Sequence, residues 1–438
     1  MTGREAALQV LTACRRLDAW SDGSLKAAVK GLDRREAAFA ARLAYSVLQN
    51  RALLDFYLGQ YCTQSFEKLE PFVRDVLRLG AVQILMMDRV PDSAAVSEAV
   101  EMVKRHKRQR AAGLVNAILR KVSQNKENLP PVPSEDAGEY LALKYSHPLW
   151  LVQRLLAILG REQTEEFLRL DNEAVPMTIQ RNPLKCGAEE LVSALTAAGA
   201  EVVPHPWLVD CWEVTGTGDI EKLEPFQNGW FQVQDAAAKA AGLAAGAKPG
   251  DKVLDVCAAP GGKTFACAMS MENRGEIISC DIHEHKLALI ERSAERLGIT
   301  CVTTALADGR ENREEWNGQF DLVVCDVPCS GLGIIRKKPD IRYKQPGALD
   351  ALPAIQLDIL RNACRYLKNG GTLLYSTCTI LERENRNIVE AFLASHNEFS
   401  LVPFQLPNPV GTVDSGMITL WPHLHGTDGF FIAKLQKG

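Results

Sequence analysis

The sequence has no C-x-x-C pair among its twelve cysteines, and its eight histidines are thinly spread. The first absence excludes a zinc ribbon and a thioredoxin-like redox motif. The second leaves only His283-x-His285 and His423-x-His425 as metal candidates. Neither has companion ligands nearby, so turn histidines and no metal are expected. Long apolar runs are also missing: residues 81–87, interrupted by Gln83, fall far short of a membrane span. The opening MTGREAALQV places Arg4 and Glu5 where a signal peptide needs unbroken apolar residues. A cytoplasmic chain with no membrane partner is expected. Cys257, Cys280 and Cys325 lie in apolar strand-like runs, where a reduced thiol behaves as a small hydrophobe.

The chain has 438 residues, 46% hydrophobic and 24% charged, which excludes disorder and collagen. That length gives a prior of about three domains. The net charge of −4 hides an asymmetry. Residues 1–126 hold 21 Lys/Arg against 13 Asp/Glu, and the remainder holds 29 against 41. Lys104, Arg105, Lys107, Arg108, Arg110, Arg120, Lys121 and Lys126 follow one another with no acid between 102 and 126. Such a cluster attracts a polyanion, and the absence of interleaved acids favours RNA contact over a salt-bridged helix face.

Residues 1–126 repeat apolar positions at spacings of three and four, predicting an all-α domain, with helix starts at Asp33 and at Pro91-Asp92-Ser93. KENLPPVPSED reads as a linker. It opens a stretch, 127–230, holding a helix interrupted at His147-Pro148 and then a small α+β subdomain. From 231 to 438 strands alternate with helices: KVLDVCAA, GEIISCDI, TCVTTALA, FDLVVCDVP and GTLLYSTC. This predicts an α/β, doubly wound, Rossmann-like sheet, with FSLVPF, MITLWP and FFIAKLQK as late antiparallel strands. Ligands on such sheets bind beyond the carboxyl ends of the strands.

Several loops there carry chemistry. The first strand runs into Cys257-Ala258-Ala259-Pro260-Gly261-Gly262-Lys263-Thr264, a small-residue turn before a helix, suited to close approach by a ligand. Gly262-Lys263-Thr264 matches half of a P-loop, which keeps an RNA-dependent NTPase in view. However, Cys257 stands where the first P-loop glycine belongs, and Pro260 removes an N–H from the cradle. Asp281, Asp308 and Asp326 close the next three strands. Each alone also fits a helix cap or turn. Together they suit a ribose, an amino group and an adenine edge, and favour a cofactor without phosphates such as S-adenosylmethionine. Cys329 and Cys378 follow the fourth and fifth strands, where a thiolate could do chemistry.

At these residues the chain resembles the RNA 5-methylcytosine methyltransferases. The resemblance covers CAAPGGKT (257–264), DVPCSG (326–331), STCT (376–379) and DGFFIAK (428–434). It extends to GIIRKKPDIR (333–342), YSHPLW (145–150) and FQVQD (231–235), which are similar to the bacterial small-subunit ribosomal RNA enzymes of the Sun/Fmu type. GLVNAILR (113–120) in the helical block is similar to the antitermination factor NusB, an RNA-binding fold. The chain departs from the pattern at Asn385-Arg386, where an acid follows the asparagine in the family.

The resemblance implies S-adenosylmethionine-dependent methylation of cytosine carbon 5 in 16S ribosomal RNA, at cytosine 967, by a monomer. Another ribosomal or transfer RNA site is the alternative. It implies Cys378 as nucleophile, Cys329 as the residue assisting product release, and Asp326 as a group on the cytosine. Cofactor contacts are implied for Cys257, Ala258, Ala259, Pro260, Gly261, Gly262, Lys263, Asp281, Asp308 and Asp326. RNA contacts fall to Lys104, Arg105, Lys107, Arg108, Arg110, Arg120 and Lys121.

Overall fold

The computed structural model describes residues 1–17 and 21–438. They fall into two compact units, residues 1–174 with 335–344, and residues 175–334 with 345–438. Among the described residues no strand precedes Met177, and no helix is long and apolar enough to cross a membrane.

The first unit contains α1 (Gly3–Leu17), α2 (Ser21–Ala28), α3 (Arg34–Gln49), α4 (Arg51–Gly59), α5 (Pro71–Met86), α6 (Asp92–Arg105), α7 (Ala112–Gln124), α8 (Ala137–Lys144) and α9 (Leu149–Leu170). α5 is its central element. It opens with Pro71 in the first turn, where a missing N–H leaves no bond unmade, and buries residues around its whole circumference. Gly80 lets α7 approach: a Cβ there would lie 2.4 Å from a Leu119 methyl. The charges that α5 buries are paired, Arg78 with Asp75 at 2.9 Å and Asp55 at 2.7 Å, and Asp75 also with Arg15 at 3.0 Å. Asp33 caps α3 by accepting from the Glu36 N–H at 2.9 Å, and α6 starts at Asp92, both as expected. The helix read as interrupted at His147-Pro148 is α8 and α9, with that dipeptide between them.

Residues 335–344 join this unit from far along the chain. Their 3-10 turn, Pro339–Tyr343, carries Arg342, which is 1% exposed. The guanidinium donates to the carbonyls of Gln49 (2.9 Å) and Tyr145 (3.2 Å) and to Asn172 Oδ1 (2.9 Å). Beside it, burial raises the Asp171 carboxyl to about 7 and holds the His147 imidazole well below its usual value.

The second unit contains a small antiparallel sheet and a large one. The small sheet has β1 (Met177–Arg181), β2 (Glu201–Pro204), β3 (Cys211–Thr215) and β4 (Phe231–Val233) in the order β2-β3-β1-β4, with α10 (Ala188–Ala197) and α11 (Glu224–Gln227). α12 (Ala236–Ala245) leads to the large sheet. Its strands are β5 (Lys252–Asp255), β6 (Glu276–Asp281), β7 (Val302–Leu306), β8 (Phe320–Asp326) and β9 (Leu367–Thr377), with β10 (Phe399–Leu401) beyond. β11 (Phe404–Gln405) and β12 (Thr412–Val413) form a separate ribbon, and β13 (Met417–Leu420) and β14 (Phe430–Lys437) return to the sheet. The order is β10-β14-β9-β8-β5-β6-β7, with β13 on β14.

β5 to β9 are mutually parallel; β10, β13 and β14 are antiparallel additions, as the sequence suggests. β8 reads FDLVVCD because both faces are covered, and five of its seven residues are buried. The helices α13 (Gly262–Ser270), α14 (Glu284–Leu297), α15 (Leu352–Ala363) and α16 (Arg386–Leu393) belong to the connections between strands. β6 and β7 lie on one side of β5, and β8 and β9 on the other. The chain therefore reverses direction across the sheet between β5 and β8, and this opens a crevice at their carboxyl ends.

Candidate active site

The turn from β5 to α13 forms one wall of that crevice. Ala258 N–H donates to the Cys280 carbonyl at 2.7 Å, fastening the turn to β6, and Gly261 adopts a φ of 106°, open to glycine at little cost. A cavity of about 380 Å³ lies beside it. Cys257 and Ala259 line it, together with Asp281 from the end of β6, Asp308 from beyond β7 and Asp326 from the end of β8. Ala258, Pro260, Gly261 and Gly262 shape the turn without lining the cavity, and Lys263 faces Asp326 instead. The acids are separately held. Asp281 accepts from the His283 N–H at 2.9 Å and lies 3.5 Å from Lys286, while Asp308 pairs with Arg310, whose hydrogen bonds hold its carboxyl below the usual range. His283, Lys286 and Arg310 line the cavity too; sequence reasoning misses them as site residues, although each stands two to five residues past a strand-end acid. Three acids, an apolar wall of Ile355 and Ile359, and no built phosphate cradle fit a neutral ribose and base better than a triphosphate.

The P-loop alternative fails on geometry. Lys263 Nζ donates to Asp326 Oδ2 at 2.5 Å. The Thr264 hydroxyl, which a P-loop offers to magnesium, bonds to Asp255 and Ser279, each at 2.8 Å. Asp255 is fully enclosed, and burial raises its carboxyl to about 7.

The cysteines separate into two kinds. Burial pushes Cys280 up to about 12 and Cys257 and Cys325 well above the ordinary thiol, so Cys280 and Cys325 are packing groups and Cys257 meets the cavity as an un-ionised thiol. Cys329, past β8, and Cys378, past β9, instead meet with their sulfurs 3.2 Å apart. The contact with Cys378, reinforced by burial and the charge of Glu384, holds the Cys329 thiol far above its usual value. Lys263 is buried near Cys378. Burial opposes its charge, but Asp326 outweighs this and raises it, with Cys378 adding to the effect. Asp326 Oδ1 accepts from Ser376 Oγ at 2.9 Å, so both carboxylate oxygens are held. The terminal DGFFIAK segment closes the site from below: Phe430 lies 5.0 Å under the Lys263 ammonium. Gly333 passes so close that a Cβ would lie 1.8 Å from the Gly429 carbonyl oxygen.

Half of the eight cations between residues 104 and 126 are answered by acids from other positions. Lys104 pairs with Glu101 at 2.7 Å, Arg105 with Glu5 and Glu98 at 3.5 Å, Arg108 with Glu70 at 2.7 Å, and Lys126 with Asp92 at 3.1 Å. Arg120 donates to Asn116. Lys107, Arg110 and Lys121 are exposed and have no ion pair among the described residues.

Comparison with known proteins agrees with this geometry. Residues 243–436 match the family described as 16S rRNA methyltransferase RsmB/F, residues 1–124 the NusB family, and residues 147–221 the ferredoxin-like domain of RsmF/B-like methyltransferases. The chain is 36% identical to the probable ribosomal RNA small subunit methyltransferase B of Bacillus subtilis, over 99% of this chain and 98% of that one. It is 32% identical to the Synechocystis protein of the same description, over the whole of both chains. The solved structure of PH0851 superposes with a TM-score of 0.83 at 28% identity, covering 99% of this chain and 98% of that one. The family is of the S-adenosylmethionine-dependent kind, and the cavity among Asp281, Asp308 and Asp326 suits that cofactor. The chain belongs to the RsmB/F family of 16S rRNA methyltransferases.

Proposed function

We propose that this enzyme methylates carbon 5 of a cytosine in 16S rRNA through a covalent bond between Cys378 and carbon 6, with cytosine 967 as its site. The observation that carries this reading is the pair of sulfurs 3.2 Å apart, beside the Lys263–Asp326 pair and within the same strand-end crevice as the cavity. Carbon 5 of cytosine is a poor nucleophile. Addition of the Cys378 thiolate to carbon 6 forms a C–S bond and makes carbon 5 enamine-like. Lys263, near Cys378, holds Asp326, and Asp326 accepts a hydrogen bond from the amino group of the base. The turn at 257–262, with Asp281 and Asp308, would hold S-adenosylmethionine, which would supply an electrophilic methyl group. Loss of the carbon-5 proton returns its electron pair to the ring and expels the Cys378 thiolate, a release that Cys329 assists. The target must leave its stack to reach these groups, so a loop or single-stranded cytosine is the substrate. The exposed cations of the helical unit, led by Lys107, Arg110 and Lys121, contact the RNA backbone.

The test is nucleoside mass spectrometry of 16S rRNA after reaction with the protein and labelled cofactor. The label is expected in 5-methylcytidine. Label in N4-methylcytidine or in another nucleoside overturns the reading.

A further inference from the structure

Two adjacent residues before α16 reach to different cysteine loops. Glu384 is fully buried, and its Oε2 accepts from the Ser330 N–H at 2.8 Å and from Gln356 Nε2 at 3.0 Å. The same Gln356 nitrogen donates to the Pro328 carbonyl at 3.0 Å. The peptide groups on both sides of Cys329 are therefore held. Asn385, 2% exposed, holds the residues on either side of Cys378: its Oδ1 accepts from Thr377 Oγ1 at 2.6 Å and its Nδ2 donates to the Thr379 carbonyl at 2.9 Å. A hydroxyl contact of 2.7 Å between Ser330 and Thr379 joins the two loops, and the Gly333 N–H donates to the Cys378 carbonyl at 3.0 Å.

We propose that Glu384 and Asn385 are positioning residues that set the separation of the two sulfurs, Glu384 through the peptide groups around Cys329 and Asn385 through the Thr377 hydroxyl and Thr379 carbonyl on either side of Cys378. Neither touches the sulfurs by a hydrogen bond; each fixes the groups on either side. Glu384 has a second role. A neutral amide would accept the Ser330 N–H equally well, whereas a buried carboxylate is costly. Its charge adds to the effects that hold the Cys329 thiol above its usual value. The Asn385-Arg386 departure from the family pattern falls outside this device: Arg386 is exposed, with Glu390 at 3.7 Å.

The inference rests on the two-cysteine reading above, so its test separates geometry from catalysis. In the full chain without RNA, diamide is added and formation of the Cys329–Cys378 disulfide is followed by peptide mapping. Sulfurs already in contact should cross-link ahead of the other ten cysteines. Glu384→Ala and Asn385→Ala should slow that step by about tenfold or more, as expected for side chains released by about 1 Å. Glu384→Gln keeps the acceptor and should cross-link readily. It should also shift the pH profile of the reaction to lower pH, because loss of the charge lets Cys329 ionise earlier. Should either alanine variant fail to fold, Asn385→Asp, which loses the donor to Thr379, and the Glu384→Gln profile carry the test. Wild-type cross-linking rates in the variants, together with an unmoved profile, overturn the proposal. A covalent RNA adduct is then sought in each variant: Glu384→Ala should accumulate it and Asn385→Ala should fail to form it. If cross-linking responds as stated but no variant, nor Cys329→Ala, ever yields an adduct, the covalent mechanism is at fault and the positioning is not.

Discussion

The basic stretch of the helical unit and the loops at the carboxyl ends of β5 to β9 are equally conspicuous as sequence, and packing treats them differently. In the loops, neighbours in a motif remain neighbours in the chemistry: Cys257 and Ala259 line one cavity, and Asp326 stands three residues from Cys329. In the helical unit, the run without acids becomes a face where Glu5, Glu70, Glu98, Glu101 and Asp92 meet four of its eight cations. The backbone of a strand-end turn is a local property, whereas the field around a surface charge is set by whichever helices pack beside it. A motif therefore survives folding, while a charge count must be taken again afterwards.

Mutation of each region tests the difference. The largest effect belongs to the site: Asp326→Asn, which removes the charge partner of the buried Lys263, should lower kcat by about 100-fold and also lower the melting temperature. An equal loss from a surface Lys104→Ala would erase the distinction. Next comes Arg342→Ala, which leaves buried acceptors in the helical unit without their donor and should cost about 3–5 kcal/mol in urea unfolding. An unchanged midpoint would show that the unit does not depend on residues 335–344.

A smaller effect is expected on RNA affinity. Replacing Lys107, Arg110 and Lys121 by alanine should weaken binding about tenfold and reduce the salt slope, by about 1 for each phosphate left without its cation. The same change at Lys104, Arg105 and Arg108, which already have acid partners, should do less, and the opposite ranking would restore the simple charge count.

A last effect concerns pH, where the two units behave alike. Asp171 and Asp255, one in each, are raised by burial to about 7, so between about pH 4 and 7 the folded chain keeps protons that the unfolded chain has lost. Their contribution to stability is complete below pH 4 and disappears as the pH rises through 7, by at most about 1.4 kcal/mol per pH unit for each carboxyl. Thermal melts across this range should flatten in Asp255→Asn and in Asp171→Asn; unaltered slopes would mean that neither group holds its proton.

The order of helices and strands is legible in the sequence because apolar spacing is local, as in the two-sided β8 and the capped start of α3. The strand-end acids and the two paired cysteines are legible for the same reason. Residues 335–344 stand out as a motif, but nothing in their pattern tells that Arg342 is buried among carbonyls about 170 to 290 positions away in sequence. Gln356 and Glu384 are silent because each reads as an ordinary polar residue of a helix or turn, and only the closing of β8 against β9 brings them to Cys329. Lys286 and Arg310 escape because a cation near an acid is common on any surface.

The most direct test of the central claim is a denaturing gel of Cys329→Ala and Cys378→Ala, each incubated with 16S rRNA and S-adenosylmethionine. Cys329→Ala should yield a slow-migrating protein–RNA band that survives boiling in detergent, and Cys378→Ala should yield none. A persistent band from Cys378→Ala, with none from Cys329→Ala, would contradict the assignment of the attacking sulfur.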